Sequence, residues 1–327
     1  MCWWLQVKAV ELFAGAGGAA LGLHAAGVEH LRCVEWDKDA AATLGAAGFP
    51  AVCGDVRDLS LCAGLEPDLV WSSFPCQCWS SAGKRLGPED DRNGWPWTVD
   101  AIDAMSPRWF VAENVTGLTQ HRGECASGCV GPELCPRAYL DRVILAQLRE
   151  RFPWVACRVL NASSYGVPQH RRRLIIVAGP RPIDWPAPTH GKPTGQGDLF
   201  GRKLLPWRTV CDALGLSGLV HTGGIDYRFR ADRKTRERPR PTDEPSPTVS
   251  SAANMMLAPP AVGRHTATLA DGPGRRLAVQ ECAALQDFPP DHPWQGNQEQ
   301  RYRQVGNAVP PTLARVVAEA VLDADAI

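Results

Sequence analysis

Val7-Lys8-Ala9-Val10-Glu11-Leu12-Phe13-Ala14-Gly15-Ala16-Gly17-Gly18-Ala19-Ala20 reads as a strand, a glycine turn and the start of a helix. The helical stretch continues through Leu21 to Ala26 and stops at Gly27, a residue that closes helices in the left-handed conformation. Gly15-x-Gly17-x-x-Ala20 fits a loose nucleotide-binding fingerprint, in which glycines let the backbone approach a ligand and the helix N-terminus offers free N–H groups. The next strand, Leu31-Arg32-Cys33-Val34, ends at Glu35, 20 residues past Gly15. An acidic side chain at that distance accepts hydrogen bonds from ribose hydroxyls. A third strand, Ala51-Val52-Cys53, leads into Gly54-Asp55-Val56, where Asp55 is placed to accept a hydrogen bond from an adenine amino group. The spacing predicts an open α/β sheet whose strand ends bind a nucleotide-like cofactor.

Outward from that unit, Pro67-Asp68-Leu69-Val70-Trp71 has the length of a buried strand and runs out into Ser72-Ser73-Phe74-Pro75-Cys76-Gln77-Cys78-Trp79-Ser80. Ligands of open α/β sheets bind outside the carboxyl ends of the strands, so Cys76 stands where a nucleophile belongs, and Pro75 stiffens the backbone before it. The polar, non-periodic segment from Ser80 to Thr98 is expected to be a functional loop. A strand at Trp109-Phe110-Val111-Ala112 then delivers Glu113-Asn114-Val115 to the same side, where Glu113 would act as an acid beside Cys76. His121, Cys125, Cys129 and Cys135 have an irregular spacing that argues only weakly for zinc, and no metal is assigned to the site. A helix is expected from about Arg137 to Arg151, with Leu140, Ile144, Leu148 and Phe152 on one face. After a strand at Val155 to Leu160, Gln169-His170-Arg171-Arg172-Arg173 enters the strand Leu174-Ile175-Ile176-Val177. Period-two alternation puts Arg171 and Arg173 on one face, aimed at anionic or carbonyl-rich partners.

Composition bounds the class. Lys+Arg and Asp+Glu both number 35, so net charge neither favours nor excludes a polyanion. Only six of the basic residues are Lys; the remainder are Arg, suited to bidentate phosphate and guanine contacts. No signal peptide and no run of membrane-spanning length is read, which points to a cytoplasmic protein whose 12 Cys are reduced thiols.

Together these residues resemble a known family. Phe13-Ala14-Gly15-x-Gly17-Gly18, Glu35-Trp36-Asp37, Gly54-Asp55, Phe74-Pro75-Cys76-Gln77, Glu113-Asn114-Val115, Gln169-x-Arg171-x-Arg173, Glu281 to Pro289 and Gln304-Val305-Gly306-Asn307-Ala308-Val309-Pro310 are similar, in order and spacing, to the motifs of cytosine (carbon-5) DNA methyltransferases. The resemblance implies a Rossmann-like S-adenosylmethionine-dependent methyltransferase fold with a small target-recognition domain inserted before the last motifs. The expected boundaries are 1–180 for the catalytic and cofactor domain, 181–275 for the recognition domain and 276–327 for the return to the large domain. It implies an S-adenosyl-L-methionine pocket lined by Phe13, Gly15, Gly17, Glu35, Trp36, Asp55, Val56, Pro75, Asn307 and Val309. It further implies Cys76 as nucleophile, Glu113 as the acid at the target ring nitrogen, Arg173 on the base carbonyl and Arg171 in support. The expected partner is double-stranded DNA, bound by a monomer, with the target base flipped out of the helix. Whether a cognate restriction endonuclease shares the site is left open, beside phage-encoded and solitary roles.

Cys78-Trp79 and Gln280 depart from the usual pattern, and neither touches the chemistry. Residues 181 to 275 are rich in Pro, Gly, Arg and Thr; Arg228, Arg230, Arg233, Lys234, Arg236, Arg238 and Arg240 form a basic run suited to phosphates. A nicotinamide oxidoreductase would share the Gly15 loop and Glu35 but has no use for Cys76, Glu113 and the arginine pair together. A catalytically silent DNA-binding relative would have lost one of Cys76, Glu113 and Arg173, and all three are present.

Overall fold

The structure, a computed structural model, describes residues 6–75, 91–121, 135–192, 203–217, 219–222, 240–249, 255–258 and 275–326. Seven strands form one sheet: β1 Lys8–Leu12, β2 Glu29–Glu35, β3 Ala51–Cys53, β4 Leu69–Ser72, β5 Trp109–Val115, β6 Trp154–Asn161 and β7 Arg172–Gly179. Their order is β3-β2-β1-β4-β5-β7-β6. All neighbouring pairs from β3 to β5 are parallel, whereas β7 runs antiparallel to both β5 and β6. The order reverses between β1 and β4, so the loops leaving these two strands diverge and open a crevice at their carboxyl ends. Because β7 is antiparallel, its first residues arrive at that same rim, with Arg173 opposite Val115.

The strands are apolar on both faces because both faces are covered. On one face, Val10, Leu12, Val70, Phe110 and Ile176 pack against Trp95, Val99 and Ile102 of helix α3, which is Trp95–Met105 once α1 (Gly18–Ala25) and α2 (Lys38–Ala46) are counted. Leu140, Ile144, Leu148 and Phe152 join that core, on a helical body made of α4 (Pro136–Tyr139), a π-turn at Leu140–Ile144 and α5 (Leu145–Arg149). The i, i+4 pattern therefore buries the expected face, and the π-turn is a local widening inside it. On the other face, Ala9, Leu69, Trp71, Val111 and Ile175 pack against Ala19 and Leu23 of α1 and a C-terminal helix bearing Leu313, Ala314, Val317 and Val321.

Beyond β7 come β8 (His190–Gly191), β9 (Leu205–Pro206) and α6 (Val210–Leu214), then a four-stranded sheet of β10 (Leu219–Thr222), β11 (Arg240–Pro241), β12 (Met255–Ala258) and β13 (Arg275–Arg276). The chain closes with α7 (Val279–Leu285), α8 (Gln298–Asn307) and α9 (Pro311–Asp325). The segment expected to be loop through Thr98 is helical from Trp95, since Pro96 near the helix start supplies a preset φ and costs no hydrogen bond. Cys76 to Asp90, Cys125, Cys129 and Arg228 to Arg238 lie outside the described residues. Among the described residues no helix is long and apolar enough to cross a membrane.

Candidate active site

The crevice is built first by the turn after β1. Phe13 has a left-handed φ of 55°, unusual for a side-chain-bearing residue, and Gly15 and Gly17 follow at φ 58° and 92°. This turn is tied on several sides: Ala14 N–H donates to the Val34 carbonyl at 3.1 Å and Gly17 N–H to the Ala14 carbonyl at 3.2 Å. The buried His292 ring lies with Nε2 3.0 Å from the Ala16 carbonyl. Gly18, the first residue of α1, has no room for a side chain, because a Cβ there would sit 2.1 Å from the Val309 carbonyl oxygen. Val309 is itself 5 % exposed, so its backbone, carried in by the approach to α9, walls the turn. Gly18→Ala is expected to destabilise the protein by about 1–3 kcal/mol in urea unfolding, since a backbone carbonyl must shift to admit the methyl group. An unchanged midpoint would mean that the approach is looser than drawn.

At the end of β2, Glu35 is 8 % exposed, and its carboxylate accepts from Gly15 N–H at 2.7 Å and Asp37 N–H at 2.8 Å. Burial pushes this carboxyl above its ordinary pKa, and the N–H donors of Asp37 and Gly15 pull the other way. Each oxygen keeps a second lone pair for a ligand. Trp36 is 76 % exposed, a large apolar ring left in the open beside that carboxylate. Asp37 caps α2, accepting from Asp39 and Ala40 N–H at 3.1 Å each, and pairs with Arg303 of α8 at 2.6 Å. Past β3, Asp55 is engaged by Arg57 through Nε at 3.0 Å and Nη2 at 2.6 Å, which holds its carboxyl below the ordinary range. Arg57 also lies over the Trp97 ring at 5.1 Å, linking this corner to α3. Val56 is buried in the core, while Asn307, the last residue of α8, is exposed.

Between these two sides comes the loop leaving β4. Ser73 N–H donates to the Leu12 carbonyl at 3.2 Å, and Asn114 Nδ2 donates to the Phe74 carbonyl at 3.2 Å. Gly94 closes the far side: a Cβ on it would meet Pro75 Cδ at 2.6 Å, Phe13 Cζ at 3.1 Å and Phe74 Cβ at 3.2 Å. The backbone entering Cys76 is thereby fixed from β1, β5 and α3. Neither Asn114 nor Gly94 was given a role from sequence; Asn114 stands within the Glu113-Asn114-Val115 motif, but its partner is 40 residues away.

At the rim shared by β5 and β7, Arg173 Nε lies 2.6 Å from Glu113 Oε1, with both side chains about nine-tenths buried. The structure thus brings together two of the residues expected to act on a substrate. Arg171 goes elsewhere. It is 1 % exposed, and its guanidinium donates to the carbonyls of Val249 at 2.9 Å, Gly306 at 2.9 Å and Ala308 at 2.8 Å. Carbonyl-rich partners were expected for this face, and here they are backbone. Gln169 beside it donates through Nε2 to the Leu285 carbonyl at 3.1 Å and accepts from Val249 N–H at 3.0 Å. The motif therefore stitches residues 246–249 and helices α7 and α8 to the rim of the sheet. Arg171→Ala would strand three buried carbonyls, each worth about 1–3 kcal/mol, so a loss of roughly 3–5 kcal/mol is expected in urea unfolding. Arg171→Lys, a point charge without the fork, should recover only part of it. A loss below about 1 kcal/mol for the alanine variant would contradict this packing.

Comparison with known proteins follows the same outline. A family profile described as "C-5 cytosine-specific DNA methylase" matches residues 7–196 and 222–323. The chain is 33 % identical over 331 residues to the Type II methyltransferase M.AplI of Arthrospira platensis, covering 97 % of this chain and 86 % of that protein. It is 31 % identical to the Type II methyltransferase M.NaeI of Lentzea aerocolonigenes, covering 97 % and 75 %. Among solved structures, the S. pombe Dnmt2 methyltransferase superposes with a TM-score of 0.70 at 13 % identity, covering 98 % of this chain and all of that one. A putative DNA modification methyltransferase encoded within an E. coli prophage gives 0.64 at 19 %, covering 97 % and 99 %.

Proposed function

The chain belongs to the C-5 cytosine-specific DNA methylase family and is a DNA (cytosine-5-)-methyltransferase, and we propose that it methylates a flipped-out cytosine in a specific duplex sequence through a covalent bond to Cys76. The observation that carries this reading is the Arg173–Glu113 pair on the rim where the Phe74-Pro75 backbone is held by Asn114.

The residues around the β1 turn fit S-adenosylmethionine. The exposed Trp36 ring offers a face for adenine, Glu35 offers lone pairs to ribose hydroxyls, and Asp55 is held ionised by Arg57 to accept from an amino group. Phe13, Gly15, Gly17, Val56, Pro75, Asn307 and Val309 complete the wall. When bound, the cofactor supplies an electrophilic methyl group. Cys76 attacks carbon 6 of the base, a poor electrophile, and forms the sulfur–carbon bond. Glu113 neutralises the charge that builds at ring nitrogen 3, and carbon 5 becomes nucleophilic as a result. Arg173 holds the Glu113 carboxyl by one oxygen and donates to the base carbonyl. A base must leave the duplex for these groups to reach it. After transfer, loss of the proton from carbon 5 and expulsion of Cys76 restore the aromatic ring.

The inserted segment, with the four-stranded sheet and the basic run Arg228 to Arg240, reads the duplex sequence, and the enzyme acts as a monomer on DNA. Bisulfite sequencing of DNA from cells expressing the protein should show 5-methylcytosine at one sequence context. Uniformly unmethylated DNA from cells that contain the folded protein would overturn the reading.

A further inference from the structure

Away from the rim, Glu11 of β1 is completely buried, and among the described residues neither carboxylate oxygen has a hydrogen-bond partner. The imidazole of His30 on β2 has its Nε2 3.7 Å from Glu11 Oε2 and is likewise without a hydrogen bond there. Cys33, also on β2 and fully buried, stands in register with Glu11. The ligand atoms of all three lie within 4.8 Å of one another. In a regular strand positions 30 and 33 would point to opposite faces. The register shift between Ala9 and Val10 inserts one extra residue into β2, which brings His30 and Cys33 to the same side as Glu11. The surroundings are apolar: Cys33 packs with Ala14, Ala20 and Leu44, and the His30 ring meets Phe49 at 5.1 Å.

A carboxylate buried without a close hydrogen bond is costly, and the groups beside this one are a single imidazole nitrogen and a thiol. Nitrogen, sulfur and oxygen in one cluster are the donors of a zinc-class ion. Bonds of about 2.0–2.3 Å place tetrahedral donors roughly 3.3–3.8 Å apart, so the His30 to Glu11 separation already fits and Cys33 needs only a small closure. Charge fits as well. A divalent ion with one carboxylate, one thiolate and a neutral imidazole has no net charge, which suits a dry core. We propose that Glu11, His30 and Cys33 form a buried three-donor site for a zinc-class transition metal, binding with release of the Cys33 thiol proton and pinning β1 to β2 just before the Gly15 turn and Glu35.

The full-length chain purified without chelator should carry about one zinc per molecule by elemental analysis. Cobalt(II) added to chelator-treated protein should produce a thiolate-to-cobalt charge-transfer absorption. That absorption should vanish in Cys33→Ser and persist when Cys125 and Cys129 are both replaced by serine, which separates this site from the His121 to Cys135 segment. Glu11→Gln preserves shape and should bind zinc at least tenfold more weakly. The melting temperature of the unsubstituted protein should fall with chelator and recover when zinc is returned, while that of Glu11→Gln should change less at the same zinc concentration. Absence of both zinc and the cobalt absorption in the unsubstituted protein would overturn the proposal and leave Glu11 and His30 as a proton-sharing pair. Survival of the absorption in Cys33→Ser would overturn it equally.

Discussion

Glu113→Gln is expected to slow methyl transfer to DNA by about 10²- to 10⁴-fold, the usual worth of a positioned acid. The substitution keeps the shape of the side chain and removes the proton-donating role proposed for it at the ring nitrogen. It also replaces the ion pair with Arg173, whose Nε lies 2.6 Å from Glu113 Oε1, by a neutral contact. Cofactor binding, proposed for the β1 and β2 turns, should persist in calorimetry, so the loss should fall on the rate at saturating DNA. Near-normal turnover would remove Glu113 from the chemistry. Loss of cofactor binding instead would mean that the two halves of the crevice are not separable in the way the hydrogen bonds suggest.

The two halves differ in how far sequence exposes them. The side proposed for the cofactor is local: Gly15, Gly17 and Glu35 sit at the ends of adjacent parallel strands, and the 20-residue interval that joins Gly15 to Glu35 becomes a 2.7 Å hydrogen bond. Strand positions, though not their full lengths, and the helical period around Leu140 to Leu148 were equally readable, since both report burial directly. What sequence hides is direction and distance. Strand β7 is apolar on both faces, and nothing in such a run says whether it pairs parallel or antiparallel. Only the antiparallel choice delivers Arg173 to Glu113. Arg171 shows the same limit: its alternation with Arg173 was legible, but its carbonyl partners lie 78, 135 and 137 residues further along the chain. The start of α3 was missed because Trp95 and Pro96 follow a polar stretch with no capping side chain. The Glu11, His30 and Cys33 cluster was invisible because a bulge brings it together.

The central claim is that Cys76 bonds to the target cytosine. Duplex DNA with 5-fluorocytosine at the target position tests it most directly, because fluorine blocks the loss of a proton from carbon 5 that release requires. The expected product is a protein–DNA adduct that survives denaturation and forms only when S-adenosylmethionine is present. Cys76→Ser should form none, since an alcohol supplies almost no anion near neutral pH. An adduct formed by Cys76→Ser, or one that peptide mapping places on Cys78, would contradict the assignment.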